Sequence, residues 1–562
     1  MVRIFETHKV RKTKELSGRL WNFTPLSGAK EQKTQKVMVP GCLETYPGMG
    51  NYRGWCSYET TFEAEGNIRL EFKGVSHFAK VYVDEVEAVQ HYGSYTPFSV
   101  CLKELKKGIH TLKVLVDNEF REEYALDMPN DYMSYGGISR GVVLEEVETL
   151  FLNYVHITPL REEDGVWFAK AEICCENLSQ NTLETDVILQ IAGTEAALQG
   201  RKAVPGENKW ALDEIRIPDV ETWCMEHPAL YGVKAVLVQN GREVDDWMDR
   251  IGFRTVRTEG RRVLLNGKPL RIKGFCRHED HPQYGCALPA QAIAYDLQLI
   301  KDMGGNSVRT SHYPNDELFL DLCDEMGILV WEENHARGME AEKMENPYFE
   351  KQCEQVIREM ITAHYNHPSI YIWGILNECA SESEYGRSCY QAQYDLIRSL
   401  DTSRPCSSAS CKFNIDICQD LPDVCSWNIY PYWYEEKSAT EKVQELLDWL
   451  ETKGNGAGKP FLVTEVGAGG IYGFRDPSKD VWSEELQAEI LEKQLQEIAA
   501  CKDCMGMYIW QFCDVRVSRI YWAIRRPKSR NNKGIVDEYR RPKLAYEAVR
   551  KIFSQLPDYW ED

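Results

Sequence analysis

The chain has 562 residues, 43% of them hydrophobic and 11% aromatic, and a formal net charge of −21. That length supports about two to four domains with a large core, and the composition excludes a mostly disordered chain. The negative charge excludes general binding to nucleic acid or anionic membranes, so an anionic ligand would need a locally basic site.

The opening stretch, MVRIFETHKVRKTKELSG, has no apolar run, so no signal peptide is expected. No later segment is long and apolar enough to span a bilayer. A cytoplasmic location is therefore expected, with most of the 19 cysteines reduced. Residues 1–148 then alternate in the manner of strands, as in NIRLEFKGV, FAKVYVDE and IHTLKVLVDN, and predict an all-β sandwich. Residues 149–255 continue in β, with LFLNYVHITPL, GVWFAKAEICCEN, DVILQIAG and YGVKAVLVQNG. A length of about a hundred residues with this strand spacing predicts an immunoglobulin-like sandwich.

Residues 256–562 change rhythm. The short apolar runs RIKGF, NSVRT, GILVWEE, IYIWGIL, CSSASC, VCSWNIY, FLVTE and GMYIWQF alternate with amphipathic stretches such as QAIAYDLQLIKDMG and FEKQCEQVIREMITAHY. Eight strands with helices between them predict a (β/α)8 barrel, and only the connection after Cys411 lacks a clear helix. The expected fold class is thus multidomain, β followed by α/β.

Chemistry in such a barrel sits at the C-terminal ends of the strands. Glu378 follows the fourth apolar run and Glu465 ends the seventh, so both should point into one mouth. A single strand-end glutamate is more simply a salt-bridge partner. Two of them, one preceded by Asn377, suit glycoside hydrolysis: one protonates the leaving oxygen, and the other attacks the anomeric carbon or activates water.

The stretches HPSIYIWGILNE and FLVTE resemble glycoside hydrolase family 2, as do ELSGRLWNF and LLNGKPLRIKGFCRHEDH. The resemblance covers nearly the whole chain. It implies a jelly-roll sandwich at 1–148, an immunoglobulin-like sandwich at 149–255 and a catalytic TIM barrel at 256–562. NNKG, from Asn531 to Gly534, is similar to the Asn-x-Lys-Gly motif of the family's β-glucuronidase branch, whose asparagine and lysine hold the sugar's carboxylate. The implied activity is a retaining exo-β-glucuronidase acting on small-molecule or oligosaccharide glucuronides. The alternatives are a β-galactosidase of the same family, which does not need Lys533, and a non-catalytic carbohydrate-binding protein.

The resemblance also assigns residues. Glu378 is the implied acid/base and Glu465 the nucleophile, with Arg309 holding the latter's carboxylate. Asn377 is matched to the sugar's 2-hydroxyl, and Asp131 and His312 to other hydroxyls. Tyr430 and Tyr434 line the site, Trp510 forms its floor, and Asn531 and Lys533 take the carboxylate. Any of Arg525, Arg526 and Arg530 could reach the substrate. Val466 and the pair Ile375–Leu376 depart from the family pattern. The stretch 333–346 is short where some relatives carry a long loop, which implies an open mouth. No metal or cofactor is implied, although His278, Glu279, Asp280 and His281 look like metal ligands on paper. Cys501 and Cys504 form one CxxC without the second pair that zinc would want. A homo-oligomer, dimer or tetramer, is expected, with no nucleic-acid or membrane partner.

Overall fold

The computed structural model describes residues 2–27, 33–520, 523 and 525–561. In the N-terminal part, the long strands Trp55–Phe72 and Phe98–Asp117 pair antiparallel along their whole lengths. Val142–Glu146 and Phe78–Val83 extend the sheet on either side, and Arg19–Pro25 pairs with Gln35–Val39. Period-two alternation sorts the faces. Ile68, Leu70 and Phe72 are buried with Trp21, Phe23 and Val114, while Arg69 and Glu71 point the other way.

The middle part has a three-stranded sheet (Leu150–Glu163, Val166–Asn177, Gly206–Pro218) and a four-stranded one (Thr194–Ala203, Leu183–Ile191, Tyr231–Gln239, Arg242–Ile251). Their inner faces share a core that includes Trp167, Ile173, Leu189 and Leu237.

The remainder closes into a parallel barrel of eight strands: β1 (Ile272–Cys276), β2 (Ser307–Arg309), β3 (Leu329–Glu333), β4 (Ile370–Asn377), β5 (Cys406–Ser410), β6 (Val424–Asn428), β7 (Phe461–Val466) and β8 (Cys504–Ile509). Every residue of β4 and β7 is buried, which is why both read as continuous apolar runs rather than alternating ones. Helices fill the connections and begin on caps the sequence supplies. Asp316 accepts from the Leu318 N–H, and Ser438 forms a capping box with Glu441. Among the described residues no helix lies between β5 and β6, as the sequence implies.

The N-terminal sandwich docks on the barrel through buried polar contacts. Arg140 donates to Glu279 at 2.9 Å and to the Pro314 carbonyl at 2.7 Å, and Tyr135 donates to Asp280 at 2.8 Å. Arg140 and Glu279 are both almost fully buried. Removing one member of such a pair strands the other's charge, at a cost of about 3–5 kcal/mol. Arg140→Met should therefore lower the unfolding free energy by about that amount, read as a fall in the denaturant midpoint. An unchanged midpoint would contradict the contact.

Candidate active site

β4 ends by delivering Asn377 and then Glu378 to the mouth. The Glu378 N–H donates to the Ala409 carbonyl at 2.8 Å, which fixes the residue against β5. Its φ is +52°, in the left-handed region that non-glycine residues seldom adopt. Such a conformation persists where surrounding structure enforces it, often at functional sites. Asn428, at the end of β6, donates to Glu378 Oε1 at 3.0 Å and to Asn377 Oδ1 at 3.1 Å. β7 brings Glu465 to the same mouth. It accepts from Arg309 at 3.0 Å on Oε1 and from the Tyr430 hydroxyl at 2.6 Å on Oε2.

Arg309 is the hub of this floor. It donates to Glu465, to Asn377 Oδ1 at 2.8 Å and to both Glu333 oxygens at 2.8 and 3.0 Å. Asn377 Oδ1 thus accepts from Arg309 and Asn428, which turns its amide nitrogen the other way. That Nδ2 is buried without a partner among the described residues. His312 is similarly placed. Nδ1 meets Glu333 at 2.8 Å, and Nε2 lies 3.9 Å from Glu465 without a hydrogen bond. Burial, then Arg309 and Arg337, push the His312 pKa well down, so the ring is neutral. Trp510 stacks on it at 5.0 Å.

The two carboxyls have unequal surroundings. The Glu465 side chain is 5% exposed and that of Glu378 23% exposed. Burial, then the charge on Glu378, push Glu465 up to about 7 against the pull of Arg309 and Tyr430. A pair of carboxyls that cannot both ionise easily is what acid catalysis followed by base catalysis by one group requires.

A second cluster lies beside the first. Asp131, from the N-terminal sandwich, accepts from Arg526 at 2.9 Å and Asn531 at 3.1 Å, and lies 3.3 Å from Arg337. Burial raises its pKa, but Arg337, Arg526 and Lys533 outweigh that and keep it ionised well below the usual carboxylate range. Arg337 also reaches within 3.8 Å of Glu378. Lys533 is 2% exposed and donates to the Tyr434 hydroxyl at 2.8 Å. The glycine of NNKG is required by close approach: a Cβ on Gly534 would fall 2.2 Å from the Asp514 nitrogen.

All eleven residues singled out in the sequence therefore gather at the C-terminal mouth of the barrel. Of the three arginines before NNKG, Arg526 bonds Asp131, Arg530 lies 4.0 Å from Glu538, and Arg525 is exposed. Sequence reasoning missed Arg337, Glu333 and Asn428. Glu333 and Asn428 end β3 and β6 as polar residues after apolar runs, the same signal that marked Glu378 and Glu465. Arg337 lies in a loop that carries no such signal. The four candidate metal ligands do not converge. His278 meets Tyr313, Glu279 meets Arg140, Asp280 meets Tyr135, and His281 accepts from the Gln283 N–H.

Residues 256–557 match the TIM-barrel domain of glycosyl hydrolases family 2, and residues 150–254 match a second domain of that family. The chain belongs to glycoside hydrolase family 2. A family 2 β-galacturonidase from Eisenbergiella tayi, solved with galacturonate, is 56% identical, with a TM-score of 0.97 and full coverage of both chains. A β-glucuronidase of Streptococcus agalactiae is 26% identical over 98% of each chain. A longer relative from Formosa agariphila is 28% identical over 91% of this chain, which spans 65% of that relative's length. As a family 2 member the chain is a glycoside hydrolase. No helix among the described residues is long and apolar enough to cross a membrane.

Proposed function

We propose that the chain is a retaining exo-β-uronidase, releasing a terminal β-linked hexuronic acid from an alcohol or aglycone. The observation that carries this reading is Lys533, buried with Asn531 beside the carboxyl pair of a protein whose net charge is −21. A buried ammonium in an acidic protein needs a reason, and a carboxylate on the sugar supplies one. β-D-Glucuronides are the substrate class the NNKG motif points to. β-D-Galacturonides, differing only at C4, are the second reading, favoured by the 56% identity to the galacturonate-bound relative.

The proposed reaction is a double displacement. Glu378 as carboxylic acid gives its proton to the glycosidic oxygen while a Glu465 carboxylate oxygen attacks C1, and the aglycone leaves as an alcohol. Glu465 is then an ester without charge, and the Glu378 carboxylate left by the first step takes a proton from water. The water oxygen attacks C1, releases Glu465 and leaves the product in its starting β configuration. Burial keeps Glu465 up at about 7, so below that pH the pair holds one proton. Asn377 Nδ2 and His312 Nε2, both buried and without hydrogen-bond partners among the described residues, are offered to sugar hydroxyls. Asp131 takes others.

The test is kcat/KM on three aryl glycosides: the β-D-glucuronide, the β-D-galacturonide and the neutral β-D-galactoside. Either uronide should lead, and the better one fixes the C4 preference. A leading galactoside would overturn the proposal in favour of a β-galactosidase, and no turnover of any would leave a binding protein.

The pH profile gives a further prediction. Above about 7 the pair loses the one proton that acid catalysis needs, so kcat/KM should fall on the alkaline side with a midpoint near 7. Glu378→Gln removes the like charge that raises Glu465. With an acidic phenol as leaving group, which needs little protonation, the variant's alkaline limb near 7 should be lost. An unmoved limb would contradict the coupling.

A further inference from the structure

Trp433 lies between the site tyrosines Tyr430 and Tyr434, and nothing in the mechanism above uses it. Its indole is held firmly. Trp482 crosses it with centroids 5.3 Å apart at 75°. Gly469 lies against both rings: a Cβ there would fall 2.3 Å from Trp482 and 3.0 Å from Trp433. The glycine-rich stretch after the nucleophile is thus the seat of this indole pair. On the other side is Lys533, whose ammonium lies 5.7 Å from the Trp433 ring centroid, 5.8 Å from that of Tyr430 and 5.0 Å from that of Tyr434. The three rings form an aromatic cage around the cation.

Within that cage one polar atom is unaccounted for. The Trp433 indole nitrogen is buried and makes no hydrogen bond of standard geometry among the described residues, although the Tyr434 hydroxyl lies close to it. Buried indole N–H groups are usually partnered, because leaving one unpaired forfeits the hydrogen bond it makes with water. An indole N–H only donates, so the missing partner is an acceptor. The surroundings specify its charge. Lys533 donates to the Tyr434 hydroxyl at 2.8 Å, and Arg526 stands near. An anionic oxygen is favoured at this spot.

We propose that the Trp433 indole N–H is a third donor, with Lys533 and Asn531, to the carboxylate of the bound uronic acid. The inference rests on the uronide reading above. It gives the carboxylate one mobile point charge and one rigid, directed donor. The rigid donor fixes the orientation of the carboxylate, which an ammonium alone does not.

Trp433→Phe keeps an aromatic ring in the cage and removes the N–H. A hydrogen bond to a charged group is worth about ten- to a hundredfold in affinity or rate. The variant should lose about that factor in kcat/KM on the preferred aryl uronide and change little on the neutral hexoside of the same ring stereochemistry. Equal losses on the two would make Trp433 a packing residue and overturn the proposal, as would no loss on either. Lys533→Ala is measured alongside. If it fails to discriminate between charged and neutral sugars, the uronide reading falls and this inference with it. If it discriminates and Trp433→Phe does not, only the role of the indole falls. Should Trp433→Phe not fold, a crystal structure of the unaltered protein with the free uronic acid decides. The proposal requires the indole nitrogen within hydrogen-bond distance of a carboxylate oxygen, about 2.7–3.2 Å, and a separation filled by water or by another residue overturns it.

Discussion

Glu465→Ala abolishes turnover while the protein melts at the same or a slightly higher temperature. The loss follows from the role proposed for Glu465. Without a carboxylate at the end of β7 no glycosyl ester forms, and several kcal/mol of barrier return at about 1.4 kcal/mol per tenfold in rate. The unchanged melting follows from its surroundings. Glu465 is buried at a site that resists its charge, with its pKa pushed up to about 7 by burial and by Glu378. Its removal relieves that cost. Arg309 is not stranded, because both Glu333 oxygens still accept from it. Functional residues held against a stability cost commonly behave in this way. Single-turnover assays with an aryl uronide, beside a thermal melt, check both halves. Near-normal turnover with unchanged melting would place the nucleophile elsewhere, and loss of the fold would leave the rate uninterpretable as chemistry.

Lys533→Ala separates charged from neutral sugars. The side chain is buried against Tyr434, and burial together with Arg526 lowers its pKa, so its charge is held at a cost that a bound carboxylate repays. The loop does not depend on it. The Gly534 N–H donates to Asp514 at 2.9 Å, and the Lys533 carbonyl accepts from the Gln511 N–H at 3.0 Å, and both contacts survive the substitution. A hydrogen bond to a charged group contributes about 1.5–3 kcal/mol, so kcat/KM on the uronide should fall about ten- to a hundredfold. If the contact strengthens in the transition state, kcat falls along with the rise in KM. The matched neutral hexoside should be turned over as before or slightly better. Equal losses on both would mean a damaged loop.

The barrel could be read from the sequence because its parallel strands are buried on both faces, so each appears as an unbroken apolar run between amphipathic stretches. The carboxyl pair could be read because Glu378 and Glu465 interrupt such runs at their C-terminal ends. Glu333 and Asn428 carry the same signal and were passed over, since a buried carboxylate that holds Arg309 looks no different in sequence from one that attacks a sugar. Asp131 and Arg337 could not be found by periodicity. Each lies in a loop, and their meeting depends on how the N-terminal sandwich docks on the barrel through Arg140–Glu279 and Tyr135–Asp280. Asp131 entered through the family resemblance alone, and Arg337 did not enter at all. The stretch HEDH shows the reverse error in prospect: four ligand types in a row, each drawn to a different partner once the domains pack.

The central claim is a covalent glycosyl-enzyme on Glu465 in a site that reads the sugar's carboxylate. A 2-deoxy-2-fluoro-β-uronosyl fluoride tests it directly, because the fluorine slows both steps while the fluoride leaving group rescues the first. Intact-mass measurement followed by peptide mapping should find one uronosyl adduct, carried by the peptide containing FLVTE, with the ester on Glu465. The neutral 2-fluoro hexosyl fluoride should label the protein far more slowly. An adduct on another residue, or labelling by the neutral reagent as fast as by the charged one, would contradict the account.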